Sequence, residues 1–130
     1  MERSFMSKLV NEWIQKAEGD YTSALREYRA RKFPNYDAAG FHSQQCIEKY
    51  LKAMLQANKV PFKKIHDLLA LMELCLPFIS ELELHQDLLA YLNQFVVAYR
   101  YPGELASREQ AKQAIKALKM LRMILRNALV

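Results

Sequence analysis

Apolar residues recur at steps of three and four over most of this 130-residue chain, a spacing typical of one buried helix face. The spacing predicts helices over about residues 6–31, 36–58, 66–76, 80–99 and 107–127. Pro34 and Pro77 separate neighbouring segments, because a proline cannot continue the helix before it. Long helices with short connections predict an all-α fold, an antiparallel up-and-down helical bundle of four long helices plus one short helix. We expect a single domain over residues 1–130, since no linker or repeat divides the chain.

Residues that favour helix starts stand at the expected boundaries. Asn35 is predicted to cap the second helix. Ser80–Glu83 and Ser107–Gln110 have the capping-box form, in which the two side chains satisfy free backbone amides reciprocally. Asp67 favours the first turn of the short helix through the helix dipole, and His66 before it is expected to cap or orient that turn.

Several polar or small residues interrupt the apolar stripes of the first two helices. Asp20 either lies at the edge of its stripe and reaches solvent, or meets a basic partner inside. Gly40 and Ser43 on the second helix would let another helix approach closely. Gln44 on the same face needs hydrogen-bond partners if it is buried.

Two further rows of polar residues follow helical steps. His42, Gln45, Lys49 and Lys52 form either a solvated face or the wall of a cleft or dimer contact. The last helix carries a basic row without interleaved aromatic residues. That row is either a solvent face or a surface that attracts phosphates non-specifically. A surface that stacks on the bases of a single strand normally contains aromatic residues, which this row lacks. The basic row comprises Arg108, Lys112, Lys116, Lys119, Arg122 and Arg126.

Composition narrows the class of protein. Hydrophobic residues make up 52% and charged residues 25%, which is typical of a soluble globular domain, and no apolar run is long enough to span a membrane. The net charge of +5 permits an anionic partner. Cys46 and Cys75 fall in apolar helical patterns without metal-binding spacing, so we expect buried thiols, a reducing cytoplasmic location and no metal site.

The segment from Tyr99 to Glu104 concentrates the candidate chemistry. It places Arg100 between Tyr99 and Tyr101 and adds a proline, a glycine and an acid at the junction of two helices. An arginine in this setting holds an anion or stacks on a flat ring, unless the segment is simply a turn. The chain has no P-loop, GxGxxG or GxSxG motif. Ser43 follows His42, but adjacent residues of a helix point in different directions, so the residues indicate no activated nucleophile and no evident enzyme.

Four sequence blocks in a fixed order resemble the HEPN family (higher eukaryotes and prokaryotes nucleotide-binding domain). The first block is Trp13-x3-Ala17-x2-Asp20-x3-Ala24, and the second runs from Phe41 to Ala53 and contains Gln-Gln-x-x-Glu-Lys. His66-Asp67-Leu68 and Tyr99-Arg100-Tyr101-Pro102 complete the series. The resemblance covers nearly the whole chain.

The resemblance implies a helical bundle that commonly dimerises and is associated with nucleotide or RNA binding. Many members pair with a small nucleotidyltransferase, and some are RNase toxins of toxin–antitoxin systems, with an Arg, four to six residues, then His. No arginine here has a histidine at that spacing. We therefore expect a non-catalytic nucleotide- or RNA-binding module that forms a homodimer and has no cofactor.

Two alternatives to that expectation remain. The first is an accessory subunit that shapes the active site of a nucleotidyltransferase, and the second is an RNase with a non-standard site. The expected ligand-binding residues are Arg100, Tyr99, Tyr101, Gln45, Lys49 and His66.

Overall fold

The computed structural model describes the backbone of residues 2–129 and the side chains of residues 7–129, and within that part of the chain the fold is helical without strands. The all-α prediction is confirmed. No helix within these residues is long and apolar enough to cross a membrane. The elements are α1 (Glu2–Arg29), α2 (Tyr36–Ala57), α3 (Leu68–Cys75), a 3₁₀ helix (Ser80–His85), α4 (Gln86–Val97) and α5 (Arg108–Leu129).

Helix α2 is the centre of the bundle and packs against α1, α3, α4 and α5. Of its 22 residues, 13 are buried, including Ile47, Leu51 and Leu55. These side chains share one apolar core with Leu118 and Leu121 of α5. Burial of each such side chain contributes roughly 1.5–3 kcal/mol relative to exposure. The polar residues of α2 are therefore held by a rigid scaffold.

Two of the predicted helix caps are present. The Asn35 side chain accepts a hydrogen bond from the Ala38 amide at 2.9 Å. The Gln110 amide donates to the Ser107 hydroxyl at 3.0 Å, and the Ser107 amide donates to the Gln110 side chain at 2.8 Å. The capping box at Ser107–Gln110 is confirmed and sets the start of α5.

The capping box predicted at Ser80–Glu83 is wrong, because Ser80–His85 is a 3₁₀ helix without a side-chain cap and α4 begins only at Gln86. Ile79 and Leu82 are both buried three residues apart, and three residues make one turn of a 3₁₀ helix. Leu84 lies in the same 3₁₀ helix and is 80% exposed, although the helical pattern of the sequence would place it in the apolar stripe of the fourth helix.

The start of α3 is fixed by Asp67, which is the N-cap rather than a first-turn residue. Its carboxylate accepts a hydrogen bond from the Leu69 amide at 2.9 Å and another from the Asn93 side chain at 2.7 Å. Asn93 in turn accepts from the Leu68 amide at 3.0 Å. The start of α3 is thereby tied to α4, and His66 has a different role, described below.

Both cysteines are free and buried, as predicted. Burial raises the pKa of the Cys75 thiol to about 12 and raises the pKa of the Cys46 thiol further. These thiols therefore stay protonated and behave as small apolar groups.

Candidate functional site

The junction between α4 and α5 contains two residues in the left-handed backbone region. Gly103 has a φ of 90°, and Tyr99 has a φ of 65°, which costs a non-glycine residue roughly 1–2 kcal/mol. The Tyr99 ring offsets this cost by stacking on Phe95, with ring centroids 5.5 Å apart, and its hydroxyl donates to Gln94 at 3.3 Å. The Tyr99 ring therefore already has a stacking partner inside the protein.

A pocket of about 260 Å³ lies between this junction and the first turns of α2. The Asp37 carboxylate accepts a hydrogen bond from the Ala106 amide at 2.7 Å and so ties the end of the junction to α2. Phe41 is 41% exposed. The pocket is lined by Asn35, Asp37, Ala38, Phe41, Phe95, Val96, Ala98, Tyr99 and Arg100.

Arg100 lies at this pocket with an exposed side chain. Within the described residues its guanidinium makes no hydrogen bond or ion pair, so its five N–H donors face solvent. The neighbouring Tyr101 is 69% exposed, and its ring is accessible in a way that the Tyr99 ring is not. We call Arg100, Tyr101 and Phe41 with their pocket the Arg100 corner.

A second polar group connects α1 to the middle of α2. The Asp20 side chain is only 11% exposed and has its two oxygens on Lys49 and on His42, whose Nδ1 lies 2.8 Å away. Of the two alternatives for Asp20, the structure therefore shows the inside position with a basic partner. This contact turns Lys49 toward α1, with 24% of its side chain exposed.

The remaining polar residues of α2 surround Glu48, which is 6% exposed on its side chain. Its carboxylate receives Lys52 Nζ at 3.0 Å and lies 3.2 Å from His66 Nδ1. Gln44 donates to Glu48 and to the His66 carbonyl, both at 3.3 Å, and accepts from Gln45 at 2.9 Å. Among the described residues no buried side-chain polar atom lacks a partner, so Gln44 is satisfied as required. The predicted row of polar residues on α2 is therefore not a solvated face; it comprises His42, Gln45, Lys49 and Lys52.

The six predicted site residues thus divide into two adjoining groups. Gln45, Lys49 and His66 belong to the polar network, whereas Tyr99 and Arg100 line the pocket and Tyr101 lies exposed beside it. The Phe41 ring, a pocket residue, contacts the His42 ring with centroids 5.5 Å apart. Phe41, Gln45 and Lys49 recur every four residues, so the two groups follow one face of α2.

A third group, centred on Glu18, was not predicted. Arg122 donates to both oxygens of Glu18, at 2.6 and 2.8 Å, and the Tyr50 hydroxyl also donates to this carboxylate. The hydrogen bond from Arg122 is the main cause that lowers the pKa of Glu18. Arg126 donates to the Tyr50 hydroxyl at 3.0 Å, and the pKa of Tyr50 is raised to about 12, mainly by burial.

This cluster changes the interpretation of the basic row on α5. Arg122 is engaged by Glu18 and by the face of Tyr21, whose ring centroid lies 3.9 Å from the guanidinium carbon. Lys112, Lys116 and Lys119 stay exposed. The row is therefore part structural and part solvated. No local pattern marks Glu18, because its partner is 104 residues away.

The part of the chain that the structure describes contains no group of histidine, cysteine and carboxylate side chains arranged to hold a metal ion. Comparison with known proteins gives one finding. The HEPN domain family model matches residues 10–128, which is almost the full chain. No curated protein and no solved structure matches.

Proposed function

The chain belongs to the HEPN domain family, and from that premise we propose that it is a non-catalytic nucleotide- or RNA-binding module whose ligand engages the Arg100 corner. Family membership supports a nucleotide- or RNA-related role in general terms. The specific ligand site is our inference.

The observation that carries this proposal is the unpaired Arg100 guanidinium beside exposed aromatic rings. Other charged residues close to α2, such as Asp20 and Glu48, are engaged inside the protein. Arg100 has no such partner within the described residues, and its planar fork matches the geometry of a phosphate. Tyr101 and Phe41 expose ring surface on which a base can stack.

The size of the pocket limits which part of a ligand enters it. About 260 Å³ is below the range of roughly 300–1,000 Å³ for sites that enclose a whole small molecule. We therefore propose that the pocket takes one base or sugar while the phosphates remain outside on Arg100. Gln45 and Lys49 would extend the site along α2 through their exposed edges, with His66 beyond them. Tyr99 supports the pocket wall.

Isothermal titration with ATP, GTP, their monophosphates and a short single-stranded RNA tests the proposal. Loss of one charge-assisted hydrogen bond costs about 1.5–3 kcal/mol, so Arg100→Ala should weaken binding roughly 10- to 100-fold. Arg26→Ala is the matched control, because Arg26 is an exposed arginine on α1 away from the pocket lining. Equal affinity of Arg100→Ala and the natural protein would remove Arg100 from the site.

A protein partner beside the Arg100 corner is favoured by two exposed apolar residues that flank it in the sequence. Val97 is 72% exposed and Leu105 is 80% exposed. Exposed apolar residues this close in sequence are typical of an interface. HEPN domains often dimerise, and we propose a homodimer that covers this surface, with a nucleotidyltransferase as the alternative partner.

Light scattering at several concentrations tests the homodimer. Val97→Lys with Leu105→Lys should give a monomer that keeps its helical circular dichroism. A dimer that survives these changes would place the interface elsewhere. Co-purification with a nucleotidyltransferase that depends on the same two residues would favour the accessory-subunit alternative.

The RNase alternative is tested by incubating the purified protein with RNA. We expect no cleavage, because no arginine is followed at four to six residues by the histidine that would supply general acid or base catalysis. Cleavage by the natural protein that disappears in Arg100→Ala would overturn the non-catalytic proposal. Cleavage that survives in Arg100→Ala would indicate a contaminating nuclease.

A further inference from the structure

The end of α2 that lies opposite the Arg100 corner carries a second concave surface, which we call the lysine-rimmed cleft. It consists of two hollows, of about 520 and 280 Å³. The larger one follows the end of α2 and the smaller one lies on α1. They are lined by Gln56, Lys59, Val60, Pro61, Phe62 and Lys63, and by Leu9, Glu12, Trp13 and Lys16, respectively.

An aromatic pair joins the two hollows. Trp13 lines one and Phe62 lines the other, and their rings meet edge to face with centroids 5.6 Å apart. Lys52 Nζ lies 5.7 Å from the Trp13 ring and 5.9 Å from the Phe62 ring, and it is held by Glu48. The pair is therefore fixed from behind by a buried ammonium group.

The loop that forms the larger hollow is ordered by its own hydrogen bonds. The Val60 amide donates to the Leu55 carbonyl at 2.9 Å, and the Ile65 amide donates to the Phe62 carbonyl at 3.1 Å. Val60 and Phe62 also pack against the core. The cleft is thus built into the fold before any partner arrives, which lowers the entropy lost on binding.

The rim of the cleft carries excess positive charge. Lys16, Lys59 and Lys63 are exposed and make no hydrogen bond or ion pair within the described residues. Among the residues that the structure describes, Glu12 is the one acidic residue that lines either hollow. Lys64 adds a further exposed cation next to the rim. An apolar floor with a basic rim is complementary to a ligand that is both apolar and acidic.

We infer that the lysine-rimmed cleft binds a short acidic peptide segment of a partner protein. A large apolar side chain of that segment would lie against Trp13 and Phe62, while its carboxylates face the rim lysines. A nucleotide base fits less well, because Lys52 already lies over the Trp13 and Phe62 rings and leaves less ring surface on which a base can stack.

This site is separate from the Arg100 corner. The corner is lined by Ala38 and Phe41 at the start of α2, and the cleft by Gln56 at its end. At 1.5 Å per residue, the 15 to 18 residues between them span roughly 25 Å. A base or sugar in the pocket of the Arg100 corner and a peptide in the cleft can therefore be bound at once, and failure of one proposal leaves the other intact.

A displayed library of random short peptides, selected on the full chain, tests the inference. We expect the selected peptides to be enriched in Asp or Glu around one large apolar residue. Trp13 is the sole tryptophan, so binding should shift the intrinsic tryptophan fluorescence. Lys59→Glu with Lys63→Glu should weaken binding of the selected peptides at least tenfold. Lys112→Glu with Lys116→Glu, which alters exposed lysines on α5, is the matched control and should change little.

Four results would overturn the inference. The cleft does not recognise carboxylates if the selected peptides lack acidic enrichment. The same conclusion follows if the peptides bind Lys59→Glu with Lys63→Glu as tightly as they bind the natural protein. If oligouridylate shifts Trp13 fluorescence more strongly than the peptides do, and this shift is absent in Lys59→Glu with Lys63→Glu, the cleft is a nucleic-acid site. Self-association that the same variant abolishes would assign it to a second copy of the chain. Each measurement is repeated with Lys59→Gln and Lys63→Gln, which removes the positive charges without introducing negative ones.

Discussion

The ring of Phe95 on α4 fills the space that a Cβ atom at Gly40 of α2 would occupy. An ideal Cβ at this position would lie 2.5 Å from Cγ and from Cε1 of the ring, well inside van der Waals contact. The prediction of a close helix approach at Gly40 is thereby confirmed, with α4 as the partner. Phe95 also lines the pocket of the Arg100 corner and stacks on Tyr99, so this contact positions the proposed site.

Gly40→Ala is expected to destabilise the protein. Alanine gains about 1 kcal/mol in helix propensity, but forcing an atom into the Phe95 ring costs about 3 kcal/mol. Urea unfolding should therefore show a net loss. Gly19→Ala on α1 is the control, because nothing lies within 4 Å of its Cβ, and it should stabilise by about 0.5–1 kcal/mol. Phe95→Leu in the Gly40→Ala background should recover part of the loss; no recovery would contradict the steric explanation.

Glu18 should make the stability of the protein fall in acid. The Arg122 guanidinium holds the pKa of Glu18 below its ordinary value. The stabilisation is therefore complete above the unfolded-state pKa of about 4.3 and is lost as the pH falls through the lower folded-state pKa. Glu18→Gln should be less stable than the natural protein at neutral pH, and the difference should shrink below about pH 4.

Urea unfolding at a series of pH values measures this difference. Glu73→Gln serves as the control, because Glu73 is an exposed glutamate of α3 without an ion pair among the described residues. Parallel pH profiles of Glu18→Gln and the natural protein would mean that the Arg122 pair contributes no proton-linked stability.

The two tyrosines beside Arg100 should respond differently to replacement by alanine. Tyr99→Ala removes the ring that stacks on Phe95, so it should lower the melting temperature. Tyr101→Ala removes a ring that is 69% exposed, and it should leave stability within about 0.5 kcal/mol. If Tyr101 stacks on a base, its loss should weaken nucleotide binding by about 1–3 kcal/mol. Unchanged nucleotide affinity in Tyr101→Ala would exclude that role.

Two serines that look alike in sequence should differ in their contribution to stability. Ser107→Ala removes the hydroxyl that accepts from the Gln110 amide and should cost about 1 kcal/mol. Ser80→Ala removes no cap and should stay within about 0.5 kcal/mol. Thermal unfolding of the two variants measures both values. A larger loss from Ser80→Ala than from Ser107→Ala would contradict the assignment of the caps.

Local sequence patterns predict a helix boundary correctly where the residues that form the cap are close together in the sequence. Asn35 and Ser107 cap helices as predicted, because each cap depends on residues within three positions. Ser80 has the same pattern, but burial of Ile79 and Leu82 three residues apart favours a 3₁₀ turn. Tertiary packing overrides the local signal there, and the sequence does not display that packing.

The contacts of the polar residues likewise depend on tertiary packing that the local sequence does not display. Whether Asp20 reaches solvent or meets a basic partner depends on how α1 packs against α2, since its partners His42 and Lys49 are on the other helix. The neighbours of Arg100 in the sequence mark it as a candidate, whereas the part proposed for Phe41 depends on a pocket formed by distant segments. Glu18 had no signal of its own, because a glutamate in a long helix usually faces solvent.

The separation of 104 residues between Glu18 and Arg122 has a consequence for how the chain folds. The hairpin of α1 and α2 closes over a short stretch of chain, whereas the Glu18–Arg122 pair can form only when α5 has returned to its place. The entropy of closing this long loop is paid before the contact forms, so we expect the pair to form after the folding transition state. Loss of the Arg122 guanidinium should then accelerate unfolding and leave the folding rate nearly unchanged, so that this ion pair sets the lifetime of the native state rather than the speed of reaching it.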